Sequence, residues 1–169
     1  MMATEPTNKN FLGQTGFKLV LDRTPTVTYF CQNVPIPSIQ LNTTQFNTPL
    51  IDYTRPGTKL QFSPLNITFR VDEDMQNYLE IYNWMIGIGA PSQTEQRRLF
   101  EATSKNNNIF SDATLFVLSS KYNPNLKIKF HNMFPENISE LQLSTTATDI
   151  DYLEASVTFQ YTLFTFESV

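Results

Sequence analysis

The residues that could do chemistry are few and scattered. The chain carries one histidine, His131, and one cysteine, Cys31. A general base works only where an acid and a nucleophile converge on it, and the sequence neighbours of His131 supply neither. Cys31 stands between Phe30 and Gln32, a setting for a small buried side chain rather than a reactive thiolate. Asp72, Glu73 and Asp74 set three carboxylates side by side. A calcium loop spreads its oxygens over about a dozen residues around a glycine. Here an apolar helical pattern follows at once, so the acids read as a helix start, with Asp72 as N-cap and its neighbours favoured by the helix dipole. Asp149 and Asp151 lack further ligands, and one histidine cannot build the usual zinc site. Glycine is scarce, and Gly87–Pro91 (GIGAP) follows a helix pattern rather than a strand, so no phosphate loop is present. Lys127, Lys129 and His131 alternate on one strand face that could touch an anion, a weak signal on its own. No catalytic residue, metal ligand or cofactor is expected, and an enzyme is the least favoured class.

The spacing of apolar residues defines the elements that carry these positions. Leu65, Ile67, Phe69 and Val71 alternate with polar residues, the period of a half-buried strand. The period then lengthens. Met75, Tyr78, Leu79, Tyr82, Met85 and Ile86 lie on one face of a helix over about 73–86, stopped by Gly87, Gly89 and Pro91. Trp84, the only tryptophan, falls on a second stripe with Ile81 and Ile88. A helix this apolar is expected to be sandwiched between its own sheet and something else, such as another subunit.

Upstream, Phe17–Leu21 and Val27–Val34 read as two strands of an antiparallel hairpin, joined through Asp22–Pro25. Pro35 and Pro37 break the ladder, and Ile39, Leu41 and Phe46 resume an extended path. Asn47–Gly57 reads as a long loop, a length that is uncommon in compact domains and often functional. Leu60 and Phe62 are even-numbered and Leu65–Val71 odd, so the phase slips at Ser63-Pro64, as at a bulge that lets a sheet curl. Downstream, Ser92–Asn108 is a wet polar segment. Ala113–Ser120 and Leu126–Phe130 form the clearest hairpin, across a turn at Tyr122–Asn125. Phe134–Asn137 turns the chain, Ile138, Leu141 and Leu143 pack back, and Thr145–Asp151 is a polar connection. Ala155–Leu163 is a long last strand whose apolar phase shifts at Phe164 and Phe166, signalling a bend or two-sided burial. So aromatic a terminal strand must be covered by its own domain or by a partner.

The totals agree. At 169 residues the chain is one domain with room for a core, and 14 Phe and 7 Tyr lean it toward β structure. The fold class expected is mainly β: an antiparallel β-sandwich or curled sheet with one flanking α-helix, in a single domain over 16–169, after a polar arm over 1–15. A net charge of −4 speaks against a dense basic grip on nucleic acid. A lone cysteine excludes an intramolecular disulfide, and no signal peptide, membrane span or membrane anchor is expected.

The order of elements resembles a known family. From Ile128 to Phe164, Phe134-Pro135, Asn137, Glu140, Leu141, Leu143, Asp149, Asp151 and the final strand resemble the C-terminal part of the tube proteins of contractile-tail phages of the T-even type. Phe17, Phe30-Cys31, Phe69 and Val71 before Asp72-Glu73-Asp74, and the helix bearing Trp84 are similar to its front. The resemblance implies hexameric rings stacked into a tube in the virion tail, after synthesis in the host cytoplasm. The partners implied are the chain itself, a tail sheath protein, a baseplate initiator and a tape-measure protein. DNA would pass through the lumen without specific binding, to which a mildly acidic chain is suited. A single-ring initiator, hub, neck or completion protein of the same tails is the alternative. A monomeric β-module binding an apolar small molecule is the alternative of another class. For the assembly, exposure arguments nominate Phe11 and Leu12 in the arm, Leu50, Tyr53 and Arg55 in the long loop, and Arg97, Arg98 and Phe100 in the polar segment as inter-subunit contacts.

Overall fold

The computed structural model describes residues 11–91, 97–98, 109–144 and 152–168. In chain order the elements are β1 (Phe17–Leu21), α1 (Pro25–Phe30), β2 (Cys31–Asn33), β3 (Ile39–Asn47), β4 (Asp52–Phe62), β5 (Leu65–Arg70), α2 (Gln76–Gly89), β6 (Ser111–Leu118), β7 (Pro124–Ile138), β8 (Glu154–Gln160) and β9 (Leu163–Ser168). Seven strands make one antiparallel sheet in the order β1-β6-β7-β8-β5-β2, with β9 added to β7. β3 and β4 pair only with each other.

The large sheet curls because β7 changes partners along its 15 residues. Its first half lies between β6 and β9, with Ile128 opposite Leu115 and Phe166. Its second half pairs with β8, with Pro135 opposite Phe159. Asn132 stands between the halves at φ 54, a left-handed conformation that asparagine tolerates better than most residues. The result is the expected mainly β fold, a nearly closed barrel-like sheet with one main helix and a separate small hairpin.

Alternation fills the interior. Leu65, Ile67 and Phe69 of β5, Ala155, Val157 and Phe159 of β8, and Ile128 and Phe130 of β7 are buried together with Leu19, Leu115, Ile81 and Trp84. Trp84 lies 6.0 Å from Phe159 between ring centroids, and its Nε1–H donates to the Ile109 carbonyl at 3.0 Å. A large ring with its one polar atom satisfied is a strong core anchor.

Several expectations are corrected. Val27–Val34 is not a strand paired with β1. Residues 25–30 form a helix instead, β1 pairs with β6, and β2 pairs with β5. Pro25 opens that helix with its φ already near the helical value. Thr28 then turns its hydroxyl inward, accepting from the Leu21 N–H at 3.1 Å, while Val27 is buried. Asn47–Gly57 is not a long loop, since β3 and β4 run through most of it and leave only Thr48–Ile51 as connection. The slip at Ser63-Pro64 is a break between β4 and β5, which lie in different sheets. Phe134–Asn137 continues β7 rather than turning the chain, and Leu143 is exposed. The final strand is two, β8 and β9, separated where its apolar phase shifts. The Thr145–Asp151 connection lies outside the described residues, as does most of the Ser92–Asn108 segment.

The helix start also differs. Met75, at φ 54, precedes α2, and no side chain caps it. Asp72 is therefore not the N-cap. Asn77, inside the first turn and fully buried, ties the helix to β5: its amide donates to the Arg70 carbonyl at 2.7 Å while its oxygen accepts the Tyr78 N–H at 2.8 Å. The buried stripe is Asn77, Ile81, Trp84 and Gly87. The longer stripe is split: Met75, Leu79 and Tyr82 are exposed, Tyr82 at 48%, while Tyr78 and Met85 pack half-buried against the core.

Candidate assembly surface

The chemistry-bearing residues are not brought together. Burial pushes the Cys31 thiol up to about 11, so it stays protonated at neutral pH. His131 Nε2 lies 3.5 Å from the Thr165 hydroxyl. On the same face Lys127 pairs with Glu167 at 2.7 Å, which holds that carboxyl below its usual range. Among the described residues no group of three or more His, Cys, Asp or Glu could hold a metal ion.

The surface that stands out is the β3–β4 hairpin. Every residue of β3 is exposed, and β4 is exposed apart from Gly57 and Phe62, which are half-buried. Ile39, Leu41, Phe46, Leu50, Ile51, Tyr53 and Leu60 all present large apolar side chains to solvent, Leu50 at 97%. The root is fixed to the body. Ser63 N–H donates to the Ser38 carbonyl at 3.1 Å, and Phe62 packs 5.4 Å from Phe164. The Tyr161 hydroxyl donates to the Ser63 carbonyl at 2.7 Å, and burial pushes its ionisation up to about 12. Towards the tip, Phe46 and Tyr53 stack at 5.7 Å, and the Arg55 guanidinium lies 5.4 Å from each ring. A two-stranded ribbon in water is marginal without a covering surface.

Of the positions nominated from sequence, Leu50, Tyr53 and Arg55 therefore share one protruding element. Phe11 and Leu12 are exposed ahead of β1, and Arg97 and Arg98 are exposed beyond α2. Phe100 lies outside the described residues. Ile39, Leu41, Phe46 and Leu60 belong to the same exposed surface and were not nominated. Their signal was period-2 apolar residues on both sides of a short turn at Thr48–Ile51.

A family model described as phage tail tube protein matches residues 2–167. The chain belongs to the phage tail tube protein family. This is a structural, non-catalytic family of virion tail components. The tail tube terminator protein of Enterobacteria phage T4 is 28% identical over 165 residues, spanning 94% of this chain and 90% of that protein. Two solved structures share the fold. One is the sheath–tube complex of an extracellular contractile injection system in its extended state, at TM-score 0.56 and 15% identity over 95% of this chain and 94% of that one. The other is the tube-terminating cap of the anti-feeding prophage, at TM-score 0.58 and 13% identity over 98% and 97%.

Proposed function

We propose that this tail tube family protein forms a hexameric ring that terminates the tail tube of a contractile-tail phage. The observation that carries the ring is the β3–β4 hairpin, an apolar ribbon that its own chain leaves exposed beyond its root. Copies of the chain supply the cover, and Leu50, Tyr53 and Arg55 lie at contacts between them. The terminal position is favoured by the 28% identity to the T4 tube terminator across nearly the whole chain. In this reading the ring sits on tube subunits of related fold, meets the end of the sheath, and surrounds the path of DNA without gripping it.

The second reading makes the chain the repeating tube subunit. It is favoured by the similarity of fold to a chain of an extended sheath–tube complex. Quantitative mass spectrometry of purified virions separates the two. A terminator is present at one ring's worth of copies per tail, and a tube subunit at many. Electron microscopy of the purified protein tests what they share, because a monomer at every concentration that also fails to bind tube ends overturns both.

A further inference from the structure

We propose that a hydrogen-bonded seam across the body sets the direction of the β3–β4 hairpin, and that its far end is a clasp between the Asp112 carboxylate and the Asn132 N–H. Both are positioning residues, which act through the seam and not by touching a neighbour. The bearing of the seam on assembly rests on the ring reading above.

The seam begins at an irregularity in the ladder. From Ser111 to Ala113, β6 advances two residues while its partner β7 advances three, from Met133 to Phe130. One extra residue is a bulge, which bends a strand and leaves a group out of the ladder. Asn132 lies in this bulge with its φ of 54. The Asp112 carboxylate accepts the Asn132 N–H at 3.1 Å, a charge-assisted bond. On the other side of β7, at the same level, β9 gives way to β8. His131 is opposite Leu163 at the end of one ladder, and Phe134 is opposite Gln160 at the start of the next. In the gap the Thr162 N–H donates to the His131 carbonyl at 3.0 Å. The seam thus crosses each strand where regular pairing stops. It joins two regular plates, β1-β6-β7-β9 and β7-β8-β5-β2.

The same level continues into the hairpin. Tyr161, next to Thr162, packs on Phe130 at 5.2 Å, and its hydroxyl holds the Ser63 carbonyl at 2.7 Å. Ser63 stands between β4 and β5, and Ser38 directly precedes β3. The Ser63 N–H donates to the Ser38 carbonyl, and the two hydroxyls lie 2.7 Å apart. Both ends of the hairpin are therefore tied together at the end of the seam. Above its root the hairpin is exposed, so the base fixes its angle. At about 3.3 Å per residue β3 reaches roughly 30 Å, and a turn of about 10° at the base moves the tip by roughly 5 Å. Packing contacts do not survive such a displacement.

The test uses the full chain and two readouts, amide hydrogen exchange by NMR and the concentration for half-maximal ring formation from solution mass. In wild type the Asn132 amide is expected to be protected like its ladder neighbours, and free exchange there overturns the clasp. Asp112→Ala is expected to speed exchange of the Ser63 amide and to raise the ring-forming concentration, each more than about fivefold. Asp112→Asn keeps an acceptor and should stay within about twofold of wild type. A loss as large as that of Asp112→Ala would mean that the charge itself acts, as in a direct contact with a neighbour, and overturns the proposal. Tyr161→Phe cuts the middle link and should also speed Ser63 exchange. Adding Asp112→Ala to it should change that exchange little further, and full additivity overturns the coupling. Asn77→Ala weakens the body away from the seam and should leave both readouts near wild type. If it moves them as far as Asp112→Ala does, the clasp contributes only general stability and the proposal fails. Asp112→Ser, one bond shorter than aspartate, replaces Asp112→Ala if that variant does not fold. Failure of the ring reading looks different, because wild-type protein then forms no ring while Ser63 exchange still responds to Asp112.

Discussion

The body and the hairpin are built from the same kind of strand and differ in where the burial comes from. In β5 the alternation of Leu65, Ile67 and Phe69 with polar residues is answered within the chain, and all three are buried. In β3 and β4 only Phe62, at the root, packs on the body, and Ile39, Leu41 and Leu60 of the same alternation stay exposed. The body is stabilised by its own packing. The hairpin carries apolar residues that its own chain leaves exposed, and in the proposed ring their burial comes from neighbouring copies, so the same substitution acts on folding in one region and on assembly in the other.

The largest effect is expected at Trp84. Trp84→Ala removes the largest buried ring and leaves the Ile109 carbonyl without its donor. It should cost about 3–5 kcal/mol of unfolding free energy, read by urea denaturation. Leu60→Ala on the hairpin should change monomer stability by less than about 0.5 kcal/mol while weakening ring formation. If Leu60→Ala destabilises the monomer as a core residue does, the hairpin is covered by its own chain and the contrast between the regions fails.

This difference also explains what could be read from the sequence. The strands β5, β6 and β8 and the first half of β7 were legible because their period-2 pattern is satisfied inside one chain, as was the helix bearing Trp84. Its buried face was not. α2 has two apolar stripes, and counting residues favours the one with Met75, Leu79 and Tyr82. The buried one carries Asn77, Ile81, Trp84 and Gly87, with only two large apolar side chains among them. The α1 segment was misread because Val27 and Thr28 favour strands locally, while Pro25 and tertiary burial favour the helix. The hairpin was half legible. Leu50, Tyr53 and Arg55 were read as exposed, as they are, yet Pro49, Pro56 and Gly57 made the stretch look like a loop. Gly57 in fact allows close strand approach, a use that its identity alone does not distinguish from a turn.

A middle-sized effect separates two residues at the start of α2. Asn77→Ala leaves the Arg70 carbonyl and the Tyr78 N–H without their side-chain partner in a buried site. It should cost about 1–3 kcal/mol. Asp72→Ala should cost less than about 0.5 kcal/mol, because no side-chain cap to the helix is lost. The reverse ranking in thermal unfolding would restore Asp72 as the cap. Either result concerns the body alone, so ring mass and stacking should follow wild type once the variants are compared below their unfolding temperatures.

The smallest effect lies where the two regions meet. Tyr161 touches the aromatic interior through Phe130 and Phe164, and its hydroxyl holds the Ser63 carbonyl at the hairpin's root. Burial raises its ionisation from the ordinary 10.0 to about 12, and that of Cys31 from 9.0 to about 11. Both groups lose their protons earlier in the unfolded chain than in the folded one. The folded state then binds more protons, so stability falls as pH rises. The sign is fixed: no change from these groups below their ordinary values, a decline that begins near the lower of the two, and a plateau once the folded groups ionise. Chemical denaturation across that alkaline range should show the decline in wild type and a shallower upper portion in Tyr161→Phe. Leu60→Ala should keep the wild-type slope, since its side chain is exposed on the hairpin's stem. A Tyr161→Phe slope equal to wild type would mean that the phenol is no harder to ionise in the folded chain than in the unfolded one, and that the root of the hairpin is as open to water as its tip.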